Sequence, residues 1–65
     1  MSTDCSQLQA ELWELVWQKS ALEAQMALAR QQNNHPLLDH YTHQHGENLV
    51  RTKDVMTQYL THCLQ

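Results

Sequence analysis

An unbroken row of apolar side chains in the first half of the chain constrains its fold more than any other feature. The row comprises Leu8, Leu12, Leu15, Leu22, Met26 and Ala29, with Cys5 before it and Lys19 as its one charged member. Its members recur at alternating steps of three and four residues, the spacing that places side chains on one face of an α-helix. We call this row the seam. It predicts a helix that packs lengthwise against another helix.

The first helix is predicted over residues 4–32, because Ala, Leu, Gln, Glu and Met fill this stretch and are good helix formers. Further apolar residues flank the seam, so the apolar surface is wider than one neighbouring helix covers. Tryptophan is also enriched among the residues that dominate binding energies. The predicted protein-binding residues are Trp13, Trp17, Val16 and Leu28.

A polar break separates the first helix from a second. Asn33 or Asn34 can adopt a left-handed C-cap, and Pro36 fits the first turn of a new helix. We predict a turn at 33–35 and a second helix over about 36–63. Its inward row is read as Leu38, Tyr41 or Thr42, His45, Leu49, Thr52, Met56, Tyr59 or Leu60, and Cys63.

These patterns predict an all-α fold, with residues 1–65 forming one antiparallel two-helix hairpin of the coiled-coil type. A hairpin this small buries little of its surface, so a partner or a second copy is expected to complete it. The predicted core comprises Leu8, Leu12, Leu15, Leu22, Met26, Leu38, Leu49, Met56 and Leu60.

Two features of the hairpin leave alternatives open. Gly46 is either tolerated where the two backbones approach, or it kinks or breaks the second helix. Cys5 and Cys63 fall opposite each other at the open end. They are either two small buried residues kept reduced or a disulfide clasp.

Composition excludes several classes of function. The chain has only 4 Lys and Arg residues and a net charge of −3, so it lacks the basic surface that nucleic-acid binding requires. No apolar run approaches the roughly 20 residues that span a bilayer. The first residues, Met1 to Asp4, do not resemble a signal peptide. We therefore expect a cytoplasmic protein without a membrane span.

The residues that could carry chemistry do not form a convincing site. Glu11 and Glu14 lie on a solvated face, and a two-helix hairpin offers no cleft that would shift their pKa values. The histidine cluster consists of His35, His40, His43 and His45. A closed zinc site needs four ligands, and neither cysteine lies near this cluster. We predict no enzyme activity, no metal and no cofactor. Two alternatives stay open for the histidines: metal binding, since His40 and His43 lie three residues apart on a helix, and pH sensing.

The architecture resembles the co-chaperones of type III secretion needle subunits (the YscE and PscE kind). The matching elements are Leu8, Leu12, Leu22 and Met26 on helix 1, the turn at 33–36, and Tyr41, Leu49 and Met56 on helix 2. The resemblance implies a bacterial chaperone component. Such a hairpin binds a helical-repeat partner chaperone, and together they keep the secreted needle subunit soluble. The resemblance implies only this role, and it assigns no function to individual residues.

A second hypothesis comes from the residues alone. The chain would be a self-associating regulatory or structural hairpin, and two copies would form a four-helix bundle. The partner is then a second copy of the chain rather than another protein.

Overall fold

The structure, a computed structural model, describes residues 4–64 and consists of two long helices joined by a tight turn. α1 spans Cys5–Gln31 and α2 spans His35–Cys63, where the sequence predicted 4–32 and 36–63. The molecule is a narrow rod with extents of 47 × 16 × 14 Å. The predicted all-α helical hairpin is confirmed.

Helix α1 starts at a side-chain cap. The Asp4 carboxylate accepts hydrogen bonds from the backbone N–H groups of Ser6 at 3.0 Å and Gln7 at 3.3 Å. These bonds satisfy two of the backbone donors that the first turn of a helix leaves free. The start of the seam is thereby fixed immediately after Asp4.

Two asparagines make the turn between the helices. Asn33 adopts a left-handed conformation with φ 55°, and the Asn34 N–H donates to the carbonyl of Ala29 at 2.9 Å. Both are features of a Schellman ending, which satisfies the last carbonyl groups of a helix. The Asn34 side chain then caps α2 by accepting from Leu37 N–H at 3.2 Å. Pro36 lies in the first turn of α2, where its missing N–H leaves no hydrogen bond unmade.

Contacts between the helices show that they run antiparallel. Cys5 and Cys63 form a disulfide at the open end, with their Cα atoms 5.8 Å apart. Farther toward the turn, His45 Nε2 lies 3.2 Å from Glu23 Oε2. Of the two alternatives for the cysteines, the structure has the disulfide clasp. The hairpin is therefore closed at both ends, by the turn and by the bond.

The seam of α1 faces α2 along its whole length. Leu8, Leu15 and Ala29 are buried, while Leu12, Leu22 and Met26 are half-buried. On α2 the inward residues include Leu38, Tyr41, His45, Asn48, Thr52, Val55, Tyr59 and Cys63. Leu8, Leu15 and Val55 form the packed centre, with Leu12, Tyr59 and Cys63 against it.

Three residues assigned to the core lie at the surface instead. Leu49, Met56 and Leu60 are 45%, 42% and 50% exposed. One residue earlier in each case, Asn48, Val55 and Tyr59 face α1. A shift of one residue turns a side chain by about 100° around the helix axis. The inward row of α2 was therefore assigned wrongly at Leu49 and Met56, and of the alternatives Tyr59 or Leu60 the structure has Tyr59.

A buried asparagine accounts for this register. Asn48 is 6% exposed, and its Nδ2 donates to the carbonyl oxygen of Leu15 at 3.0 Å. Thr52 Oγ1 in turn donates to Asn48 Oδ1 at 3.4 Å. A buried amide is tolerated when its hydrogen bonds are made, and a polar residue in a helix seam fixes the alignment of the two helices. Asn48 therefore sets the register that places Val55 inside.

The structure has neither a close approach of the two backbones nor a break in the helix at Gly46. α2 continues unbroken through this position. No heavy atom would lie within 4 Å of a Cβ added there, so the backbones do not approach each other at Gly46. The glycine lies on an open surface of α2, where it weakens the helix by about 1 kcal/mol relative to alanine.

Candidate protein-interaction surface

An open apolar groove lies between the two helices at the disulfide end. Its lining consists of Gln9, Leu12, Trp13, Val16, Thr52, Met56, Tyr59, Leu60 and Leu64. We call this feature the apolar groove. None of these residues is charged, and seven of the nine are apolar or aromatic.

The antiparallel arrangement explains why these residues meet on one side. Val16 follows the inward residue Leu15, and Met56 follows the inward residue Val55. A residue that follows an inward residue is turned by about 100° around its helix. When two facing helices run in opposite directions, this turn brings both side chains to the same side of the pair. The apolar residues after each inward position therefore form a continuous strip across both helices.

The groove has a covered floor and exposed walls. Leu12 and Tyr59 are half-buried and pack against the core. Trp13 and Leu60 stand higher, at 62% and 50% exposure. Contiguous apolar surface of this kind is typical of interaction sites.

The opposite side of the hairpin is polar. Residues that precede inward positions line it, including Gln18, Gln44, Glu47 and Arg51. Arg51 Nε donates to Glu11 Oε1 at 2.9 Å across the helices, and Arg51 Nη1 lies 3.5 Å from Asp54 Oδ2. The hairpin as a whole is thus amphipathic, with one apolar and one polar side.

The four predicted binding residues do not form one patch. Trp13 and Val16 line the apolar groove. Trp17, 72% exposed, lies outside the groove, on the side of α1 away from α2. Leu28 belongs to a separate shallow surface near the turn, shared with Ala24 and Ala27.

Sequence reasoning missed three residues of the groove. Met56 and Leu60 were assigned to the core, and Leu64 was not assigned at all. The signal that could have found them is the row of Asn48, Thr52, Val55 and Tyr59, which recurs at steps of four, three and four residues. This row contains two polar positions, so a search for apolar residues passes over it.

The histidines do not converge on a common point. His43 Nε2 pairs with Glu47 Oε1 at 2.8 Å, whereas His45 Nε2 lies against Glu23 Oε2 on the other helix. His40 contacts the neighbouring ring of Tyr41, with centroids 5.4 Å apart. Among residues 4–64, no group of three or more His, Cys, Asp or Glu side chains is placed to hold a metal ion.

The fold shifts the titration of the Glu23 carboxyl. Its Oε2 accepts from Lys19 Nζ at 3.2 Å and lies equally close to His45. The hydrogen bond from Lys19, and next that from His45, lower the pKa of the Glu23 carboxyl below its ordinary value. A carboxyl whose pKa is lower in the folded chain than in the unfolded chain stabilises the fold at pH values above the unfolded-state pKa. This stabilisation is lost as the pH falls through the folded-state pKa. Glu23 thus titrates farther from neutrality, not nearer to it.

Comparison with known proteins gives no neighbour for this chain: no protein family, no curated protein and no solved structure matches it. Within the part of the chain that the structure describes, neither helix has the long apolar stretch that crossing a membrane requires.

Proposed function

We propose that the protein is a non-catalytic interaction module whose apolar groove binds the apolar side of a helix from another protein. The observation that carries this proposal is the exposure of Trp13, Val16, Met56 and Leu60 around a half-buried floor. An amphipathic helix that lies in a groove between two helices is a common mode of recognition. The product would be a bundle in which the partner supplies the missing helix.

The chemistry of the groove defines the partner. Because no charged side chain lines it, the partner helix would have to present an apolar stripe rather than an ion-pairing one. Burying one aromatic side chain removes about 150–250 Å² from water, at about 25 cal/mol per Å². Trp13 and Tyr59 would therefore contribute much of the binding energy, as large aromatic anchors do in many interfaces.

The most specific form of this proposal is a co-chaperone of a type III secretion system. The partner would be a helical-repeat chaperone, and the complex would keep a needle-type subunit soluble. The support is architectural: the chain is a small hairpin with one apolar and one polar side. An accessory subunit needs this division, because one side must be covered by the partner while the other stays in water.

The co-chaperone role places the protein in the cytoplasm, where disulfides are rare. The Cys5–Cys63 disulfide is instead typical of an oxidising compartment. Rapid alkylation of thiols in intact cells, followed by mass measurement of the chain, shows whether the two cysteines are reduced, as in the cytoplasm, or joined, as in an oxidising compartment. Two alkyl groups on each chain support the cytoplasmic role, and an unmodified chain overturns it while leaving the groove proposal standing.

Substitution in the groove tests the binding proposal. We expect Leu60→Glu to abolish capture of the partner from an extract of the native host, because it places a charge in an uncharged groove. Val50→Glu is the matched control, since Val50 is 71% exposed on α2 and lies outside the groove. A specific protein captured by the wild type and by Val50→Glu, but not by Leu60→Glu, supports the proposal. Equal capture by all three baits contradicts it, provided that circular dichroism shows equal helix content.

A further inference from the structure

A second row of uncharged residues runs along the side of α1 that faces away from α2. Its members are Ala10, Trp13, Trp17, Ser20, Ala24, Ala27 and Gln31, all of them exposed. Each stands two residues from a seam residue, which turns it by about 200° around the helix. We call this the outer row. α1 therefore presents apolar residues on two opposite sides, as expected of a helix that lies inside a larger bundle.

The outer row divides into a bulky half and a small half. The N-terminal half carries Trp13 and Trp17, which are 62% and 72% exposed. The C-terminal half carries Ala24 and Ala27. Ser20 lies midway between the two halves, so the row has large side chains on one side of its centre and small ones at matching distances on the other.

We propose that a second copy of this chain covers the outer row, with the two α1 helices antiparallel around a two-fold axis near Ser20. Trp17 of each copy then packs on Ala24 of the other, and Trp13 packs on Ala27. Facing helices pack closely when large residues oppose small ones. A two-fold interface also requires one surface to complement itself, since each contact occurs twice.

The parallel arrangement of the same two helices fits poorly. It places Trp17 against Trp17 and Ala24 against Ala24, so the helices are forced apart at one end and leave a void at the other. Voids and overpacking both destabilise a packed interface. The distribution of sizes along the outer row therefore selects the antiparallel pair.

The charges beside the outer row permit this pairing. In the antiparallel arrangement Glu14 lies beside the outer row at about the level of Ala27 of the other copy, and Glu23 lies at about the level of Gln18. No carboxylate meets another across the axis, and the outer row itself carries no charge. Like charges in contact would have excluded a second copy, because they cost several kcal/mol at an interface.

The exposed area is of the size that a stable pair needs. With about two-thirds of each indole uncovered, four indoles would bury roughly 400–700 Å² in a dimer. Specific interfaces bury about 1,200–2,000 Å² in total. The tryptophans alone would supply about a fifth to a half of this area. The rest of α1, which is about 40 Å long, would supply the remaining contact.

This pairing is separate from the proposed groove. Trp13 borders both surfaces, but Trp17 and Ala24 lie outside the groove, and Met56 and Leu60 lie outside the outer row. Loss of self-pairing would leave the groove proposal intact, and failure to capture another protein would leave the pairing intact.

Exchange of a large and a small residue tests the pairing by sedimentation equilibrium of the disulfide-closed chain. Ala24→Trp sets tryptophan against tryptophan, and Trp17→Ala leaves a gap. Either substitution affects two equivalent contacts in the dimer. The dissociation constant of the dimer should rise by about tenfold or more per contact. The chain that carries both substitutions restores one large and one small residue at every contact, so its dimer should recover to near the wild-type affinity.

The controls distinguish the outer row from every other surface. Leu60→Glu should leave the dimer unchanged, and circular dichroism should show equal helix content in all variants, because the substituted positions are exposed. A wild-type chain that stays monomeric at all concentrations overturns the proposal. It is equally overturned by a doubly substituted chain no better than the single variants, or by loss of the dimer in Leu60→Glu.

Discussion

Removal of the Cys5–Cys63 disulfide should cost the isolated hairpin about 4 kcal/mol of unfolding free energy. The bond joins residues 58 apart in sequence, and this figure follows from the conformational entropy that such a loop removes from the unfolded chain. A chain of this length is stable by only about 3–10 kcal/mol. The Cys5→Ala/Cys63→Ala variant should therefore lose about 40% or more of its unfolding free energy, and its melting temperature should fall well below that of the disulfide-closed chain.

Thermal unfolding followed by circular dichroism, at one fixed chain concentration, measures this effect. The concentration must be fixed because association also raises the apparent stability. Reductant should lower the melting temperature of the wild type and leave that of the double variant unchanged. A wild type whose melting temperature does not move when both thiols are shown to be free would contradict the structural role of the bond.

Leu15→Ala should destabilise the hairpin by about 2–5 kcal/mol, the range for removing a buried leucine side chain. Leu15 is 7% exposed and packs with Leu8 and Val55. The matched control is Leu49→Ala, the same substitution at a residue that is 45% exposed. We expect this control to cost about 1 kcal/mol or less, since half of the side chain is already in water.

The pair of leucine variants tests the register of α2 directly. Denaturant unfolding of both variants in the disulfide-closed form gives the two free energies. If Leu49→Ala were as damaging as Leu15→Ala, the inward row of α2 would run through Leu49, as the sequence had suggested, and the groove would be assigned wrongly.

The first helix and the turn could be predicted because their signals are local. The seam from Leu8 to Ala29 is apolar at almost every step, so its period alone identifies the buried face. The turn at Asn33 and Pro36 follows from residues whose backbone preferences are strong. The antiparallel pairing of two such helices then brings Cys5 and Cys63 together, although the sequence could not decide between thiols and a disulfide.

The register of α2 could not be predicted from apolar residues alone. Asn48 is buried and Leu49 is exposed, whereas their polarities alone would predict the reverse. The amide is accommodated because it donates to the carbonyl of Leu15 on the other helix, a contact that depends on how the helices dock. Because the register was misassigned, Met56 and Leu60 were assigned to the core, and the groove that they line was not predicted.

The exposed apolar surface of α1 was predicted only in its broad outline. The flanking residues Trp13, Val16, Trp17 and Leu28 indicated that α1 has more apolar surface than α2 covers. The division of Trp13, Val16 and Trp17 between the groove and the outer row depends on which edge of α1 the side chains of α2 reach. That edge is set by the register at Asn48, so it could not be deduced from α1 alone.

Quenching of tryptophan fluorescence by acrylamide tests most directly whether the exposed apolar surface serves association rather than folding of the hairpin. In dilute solution, where the chain is monomeric, Trp13 and Trp17 should be quenched nearly as strongly as in the unfolded chain, because both are more than half exposed. Quenching should then fall as rising concentration or a captured partner forms the complex. Strong protection of both indoles in the monomer, or no change on complex formation, would contradict the account.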